Sequence, residues 1–457
     1  MFARKTYVRR RERLKGQVGS GIVLLLGNDE SPMNYAGNPY PFRQDSTFLY
    51  FIGIDRPGLA AVIDLDEGSE CLFGDDPPVE EVVWTGPQPK VRVLAERAGV
   101  GRTAGADALR EVVAEAVQKG RTVHFLPQYR PENGLRLTKL GLDDAPSESL
   151  IRAVVAQRSV KSAEEVEQIE SAVSVCREMQ VTAMRMARPG VVEREIVGVM
   201  EGIAIAHGGR KSFPSIFSIH GETLHNPYYG NVLKAGDIVV NDSGAESPLH
   251  YAADITRTIP VGGRFSERQR DIYSIVLDSQ ERALAAVRPG VEFREVHRIA
   301  SVALVEGLRA LGLLKGDPAE AVEAGVHTLF FQCGVGHMMG LDVHDMDALG
   351  EDYVGYTETI HRNPAFGWRS LRLAKAVEPG FVVTVEPGIY FIPVLIDRWR
   401  DEGRLSDFID YERVDSYRDF GGIRLEDDVL VTQDGCRILG PPIPKTIDEV
   451  EALTPGS

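Results

Sequence analysis

Five side chains in this sequence have the types and settings to hold metal ions. Asp242 closes the run GDIVVND, Asp254 lies in HYAADITRT, His337 in CGVGHMMGLDVHD, Glu386 in FVVTVEPGIYF and Glu426 in FGGIRLEDDVLV. A single Asp or Glu is usually a solvated surface group. These lie in or beside apolar runs, where an unpaired carboxylate is costly. Clustered carboxylates also resist ionisation unless a cation neutralises them. Four carboxylates and one imidazole can hold two divalent cations side by side. Such a pair generates hydroxide from water near neutral pH and clamps both oxygens of a displacement. The chemistry is that of a hydrolase.

The elements that must position these residues come in echoing pairs. ARPGVVEREIVGVM at 187–200 recurs as VRPGVEFREVHRIA at 287–300, and each copy follows a long helical stretch. Capping patterns open both stretches, Ser162 to Glu165 and Ser266 to Gln269. The strands repeat too: AGDIVVND ends in Asp242 and PGFVVTVE ends in Glu386, each six residues after a glycine, Gly236 or Gly380. The spacing is far too long for a solenoid and indicates a duplicated half-domain, two αβ units facing each other. Asp242 and Glu386 then occupy equivalent strand ends, and the following strands, carrying Asp254 and Glu426, form a second pair with these acids as counterparts.

Ahead of this region, residues 1–155 read as one α/β unit. Short apolar runs (GIVLLLG, AAVIDLD, TVHFLP) alternate with helical stretches such as RVLAERAGV and ADALREVVAEAVQKG. The basic opening MFARKTYVRRRERLK reads as a first helix leading into a strand, because no adequate apolar core follows it for a signal peptide. No apolar run is long enough to span a membrane. A net charge of −16 on 457 residues argues against nucleic acid as a main partner. Four widely spaced cysteines with no CxxC pair fit a reduced, cytoplasmic compartment. Cys333 reads as a small buried thiol, not a nucleophile. His337 suits the single nitrogen ligand of an oxygen-rich site. His225, in LHNPYYGN, and His344, in LDVHD, read as hydrogen-bond donors to substrate or to the tetrahedral intermediate, with a structural role as the alternative for each.

At these motifs the chain resembles the Xaa-Pro peptidases of the pita-bread metallopeptidase family M24, whose members include prolidase and aminopeptidase P. The run YPFRQDSTFLYFIGIDRPG at 40–58 looks like the N-terminal domain those two share. The resemblance implies an α/β (α+β) protein: a creatinase/aminopeptidase-P-like domain over 1–155, then a pseudo-symmetric pita-bread catalytic domain over 162–445. It makes Asp242, Asp254, His337, Glu386 and Glu426 the ligands of two divalent ions, with Asp254 and Glu426 bridging. Glu386 also moves the proton, and His225 and His344 face the substrate. Mn2+ is the expected ion, with Co2+, Zn2+ or Fe2+ as alternatives. The two aspartates are twelve residues apart, one more than the family spacing, and the extra residue is expected in the turn ESPLH.

The implied reaction is cleavage of the N-terminal Xaa-Pro bond, a tertiary amide with no N–H. Long inserts after His344 and after Glu386 look like those of prolidases. Arg372, in RSLR, aligns with an arginine that grips a dipeptide's carboxylate, which leans the reading towards dipeptides; the alternative is a surface or supporting arginine. The 40–58 run leans instead towards aminopeptidase P and longer peptides. A non-catalytic pita-bread binding module is disfavoured because all five ligands are present. A homodimer or homotetramer is expected from the same resemblance.

Overall fold

The computed structural model of the chain describes residues 1–142 and 145–456. They fall into two units, residues 1–158 with 348–353, and residues 159–347 with 354 onward. In the first unit the short apolar runs form β1 (Ile22–Leu26), β2 (Ala60–Asp64), β3 (Glu70–Phe73), β4 (Arg102–Ala104) and β5 (Val123–His124). They make one mixed sheet in the order β4-β3-β2-β1-β5. All five β1 residues are buried, as a central strand covered on both faces requires. Ile22, Leu24, Val62 and Phe73 pack with Leu109 and Val113 of helix Ala108–Gln118. The basic opening is helix Arg4–Val18. Its Arg11 is fully buried, donating to Glu70 Oε2 at 2.8 Å and to the Phe51 carbonyl at 2.8 Å. Burying a guanidinium is tolerable only with such a complete set of partners, so this basic residue ties the helix to the sheet. No helix among the described residues is long and apolar enough to cross a membrane.

The second unit holds β6 (Ile216–Ser218), β7 (Ile238–Ser243), β8 (Ile255–Pro260), β9 (Val382–Val385), β10 (Gly388–Tyr390), β11 (Gly422–Arg424), β12 (Asp427–Val431) and β13 (Cys436–Ile438). They form the sheets β6-β7-β8, β13-β12-β9 and β10-β11. Two helix pairs pack beside them: Ala163–Met186 with Glu193–Ala206, and Glu267–Ala286 with Phe293–Ala310. Both expected capping boxes are present: Glu165 accepts from the Ser162 N–H at 3.0 Å, and Gln269 from that of Ser266 at 2.8 Å.

The duplication is visible bond by bond. Gly190 N–H donates to Leu233 O at 2.8 Å, and Gly290 N–H to Val377 O at 2.9 Å. Gly236 N–H donates to Val261 O at 3.0 Å, and Gly380 N–H to Val431 O at 2.9 Å. Gly236 and Gly380 have φ of 92° and 93°, a region that only glycine enters freely. Asn241 pairs with Arg257 across β7–β8, and Val385 pairs with Asp427 across β9–β12.

This register corrects one sequence expectation. Asp242 and Glu386 do match, but the residue matching Glu426 is Thr256, and the residue matching Asp254 is Arg424. The two acids are offset by two positions, which keeps them on the same strand face. The halves join through one bond made twice: Asp254 N–H donates to Asp428 Oδ2 at 3.1 Å, and Arg424 N–H donates to Thr258 Oγ1 at 3.2 Å.

Candidate metal centre

Asp242 comes at the end of β7, whose six residues are all buried. The chain returns through a turn in which Ser247 O accepts from His250 N–H at 2.8 Å, with His250 at a φ of 68°. That turn lies within the ESPLH segment, between the two aspartates. The β7–β8 register runs unbroken to Ser243 opposite Ile255, so Asp254 emerges immediately beside Asp242's strand end. His337 is threaded against β9: its N–H donates to Thr384 Oγ1 at 3.1 Å, and its carbonyl accepts from Thr384 N–H at 3.0 Å. A Cβ on Gly336 would lie 2.0 Å from Thr384 O, so the approach needs glycine there. Glu386 follows β9 directly, and Glu426 stands between β11 and β12.

All five residues line one cleft of about 400 Å³ in the second unit, together with His225 and His344. Asp254, His337 and Glu426 each present a ligand atom, and these atoms lie within 4.8 Å of one another. His337 Nδ1 donates to Met338 O at 3.0 Å, which leaves the Nε2 lone pair free. Nε2 lies 3.6 Å from Asp254 Oδ2 and 3.5 Å from Glu386 Oε1. Asp242 Oδ2 accepts from Arg424 Nη2 at 2.5 Å.

The donor set fits a cation. Asp242 Oδ1, Asp254 Oδ1 and Glu426 Oε1 are buried with no hydrogen-bond partner. Burial, and then the Asp242 charge, holds Asp254 well above the usual carboxylate range. Burial, and then Asp254, does the same to Glu426, and burial raises Glu386. Carboxylates so placed ionise when a cation sits among them. An oxygen-rich set with one imidazole suits a divalent metal.

His344 stacks edge-on to His337 with ring centroids 4.3 Å apart. Burial, aided by His337 and Arg372, pushes its pKa down to about 2, so the ring is neutral at working pH. His225 lines the cleft from an exposed loop whose Asn226 is anchored to Ser218 Oγ at 3.0 Å. Phe213, Ile216, Leu224 and Val343 give the cleft an apolar wall. Cys333 also lines it, with burial pushing its thiol up to about 12, so it is protonated and a poor nucleophile. Arg372 is not among the lining residues; its Nη1 donates to Asp347 Oδ2 at 3.0 Å.

Two residues escaped sequence reasoning. Arg424 bonds Asp242, Thr256 Oγ1 and Tyr390 Oη, and balances the acids from within the site. The signal was present: Arg424 precedes Glu426 by two, the same-face spacing of a strand. Asp347 carried no such signal.

Residues 167–433 match metallopeptidase family M24, and residues 7–124 match the aminopeptidase P N-terminal domain. A probable Xaa-Pro aminopeptidase of Uncinocarpus reesii is 32% identical over 96% of this chain and 91% of its own length. The Xaa-Pro dipeptidase of Homo sapiens is 31% identical over 96% and 90%. Among solved structures, aminopeptidase P from Escherichia coli with the inhibitor Pro-Leu superposes with a TM-score of 0.81 at 30% identity, covering 99% of this chain and 98% of that one. Pseudomonas aeruginosa aminopeptidase PepP gives the same score and coverage at 28% identity.

Proposed function

The chain belongs to metallopeptidase family M24, and from that premise we propose that it hydrolyses the N-terminal Xaa-Pro bond of proline-containing peptides. The observation that carries this reading is the single cleft in which four carboxylates and His337 converge beside two further histidines. Full-length similarity to both an Xaa-Pro dipeptidase and a probable Xaa-Pro aminopeptidase supports the substrate class.

Asp242, Asp254, His337, Glu386 and Glu426 would hold two Mn2+ ions, which supply Lewis acidity and an activated water when bound. Around that water the protein's own groups do the rest. Glu386 accepts its proton and delivers it to the proline nitrogen, which has no N–H of its own. Neutral His344 donates a hydrogen bond to the carbonyl oxygen as charge develops there, and His225 donates a second from the cleft's loop. Arg424 fixes Asp242 and tempers the local negative charge. We further place the enzyme in the cytoplasm, in keeping with its four unpaired cysteines, as a homodimer or homotetramer.

The test is to supply Mn2+-loaded protein with Ala-Pro-Ala, Ala-Pro and Ala-Ala-Ala. Release of alanine from the proline-containing peptides alone is expected. Cleavage of neither Ala-Pro-Ala nor the dipeptide Ala-Pro by protein carrying bound metal, or equal cleavage of Ala-Pro-Ala and Ala-Ala-Ala, would overturn the reading.

A further inference from the structure

Arg372 was expected to read the carboxylate of a dipeptide, but the structure gives it a carboxylate of its own. Asp347 Oδ2 accepts from Arg372 Nη1 at 3.0 Å, and the same oxygen lies 4.0 Å from His344 Nδ1. His344 in turn lines the cleft and packs on His337. A continuous line therefore runs from a metal-site residue to a negative charge: His337, His344, Asp347, with Arg372 behind.

The turn that carries Asp347 is fixed. Its N–H donates to His344 O at 3.2 Å, and two residues earlier Asp345 is locked to Lys161 at 3.0 Å, both side chains 1% exposed. Asp347 and Arg372 are themselves about a third exposed, so the pair is open to exchange with an incoming group.

We propose that Asp347 sets substrate length, as an internal carboxylate that engages Arg372 and disfavours peptides ending at proline. This rests on the Xaa-Pro reading above. In a dipeptide the proline bears a free carboxylate; in a longer chain the same carbon belongs to a neutral amide. A carboxylate arriving beside His344 meets the like charge of Asp347 and must compete with it for the Arg372 guanidinium. An amide meets neither obstacle. Discrimination of this kind works through repulsion of the wrong ligand as much as through attraction of the right one.

The test compares kcat/KM of the Mn2+-loaded full chain on Ala-Pro, Ala-Pro-amide and Ala-Pro-Ala, in the native protein, Asp347→Asn, and Asp347→Asn with Arg372→Ala. Ala-Pro and its amide differ in charge and hardly in size. The native protein should favour the amide and the tripeptide over Ala-Pro by about tenfold or more. Asp347→Asn should narrow that gap about tenfold, through KM for Ala-Pro, and adding Arg372→Ala should reopen it. Equal native rates on Ala-Pro and its amide, an unmoved ratio in Asp347→Asn, or a gain that survives loss of Arg372 would each overturn the inference. Cleavage of none of the three peptides would overturn the activity reading itself, and the inference with it.

Discussion

Where the first half of the duplicated unit places Asp254, the second half places Arg424; where the first has Thr256, Arg257 and Val197, the second has Glu426, Asp427 and His297. The backbone bonds around these positions repeat almost atom for atom. The comparison teaches that the duplication preserved the register and released the side chains. Two identical halves would bring like against like across the junction. Divergence instead makes the junction complementary: Arg257 pairs with Asp427 at 2.6 Å, and Arg424 with Asp242 at 2.5 Å. The site is therefore acidic enough to hold cations and still contains one fixed positive charge.

The comparison can be broken at several points. Glu386→Gln, at the strand end matching Asp242, should lower kcat by about 10²- to 10⁴-fold while leaving the unfolding midpoint near its native value; near-native turnover would remove Glu386 from the chemistry. Arg424→Met strands a buried aspartate. In chelator-treated protein it should cost about 3–5 kcal/mol by denaturant titration, and less once metal is restored; an unchanged midpoint would mean Arg424 does not balance the acids.

His297 gives a smaller effect, legible as a pH slope. Burial pushes its pKa down to about 4 and that of its neighbour His327 to about 3, and neither ring has a hydrogen-bond partner. The unfolded chain takes up these protons near pH 6.5, well before the folded chain does. Stability from each ring is thus complete above pH 6.5 and falls as pH drops towards the folded value. His297→Val, which copies Val197 of the first half, should recover about 2 kcal/mol of the loss between pH 7 and 5; an unaltered slope would contradict its burial as a neutral group. Smallest is the glycine pair. Alanine at either Gly236 or Gly380 should cost about 1–2 kcal/mol for its backbone conformation. Gly380→Ala should lower Tm further, because its Cβ would come 2.8 Å from Val160 Cγ1 whereas that of Gly236 meets nothing.

Much of this was legible in the sequence. A glycine, an apolar run and a terminal acid identify a strand end without reference to tertiary structure, and that pattern located Asp242 and Glu386. The repeated helix entry at 187–200 and 287–300 disclosed the two halves. The second pair failed by two residues, because Asp254 and Glu426 were matched by charge, whereas backbone register matches Asp254 to Arg424. Sequence periodicity reveals which face a strand residue occupies, not which partner opposes it. Asp347 and Arg372 are 25 positions apart and their meeting depends on how the intervening chain is folded. The approach of His297 to His327, with ring centroids 5.8 Å apart, is likewise long-range and leaves no local trace.

The turn at Ser247–His250 has a consequence for how this enzyme can vary. The chain reverses there through a left-handed bend at His250, while the paired strands below stay in step. Length and catalytic geometry are thereby uncoupled at this hairpin: the strands keep the acids aligned, and the tip is a natural port for grafting a tag or a fluorophore at exposed Pro248.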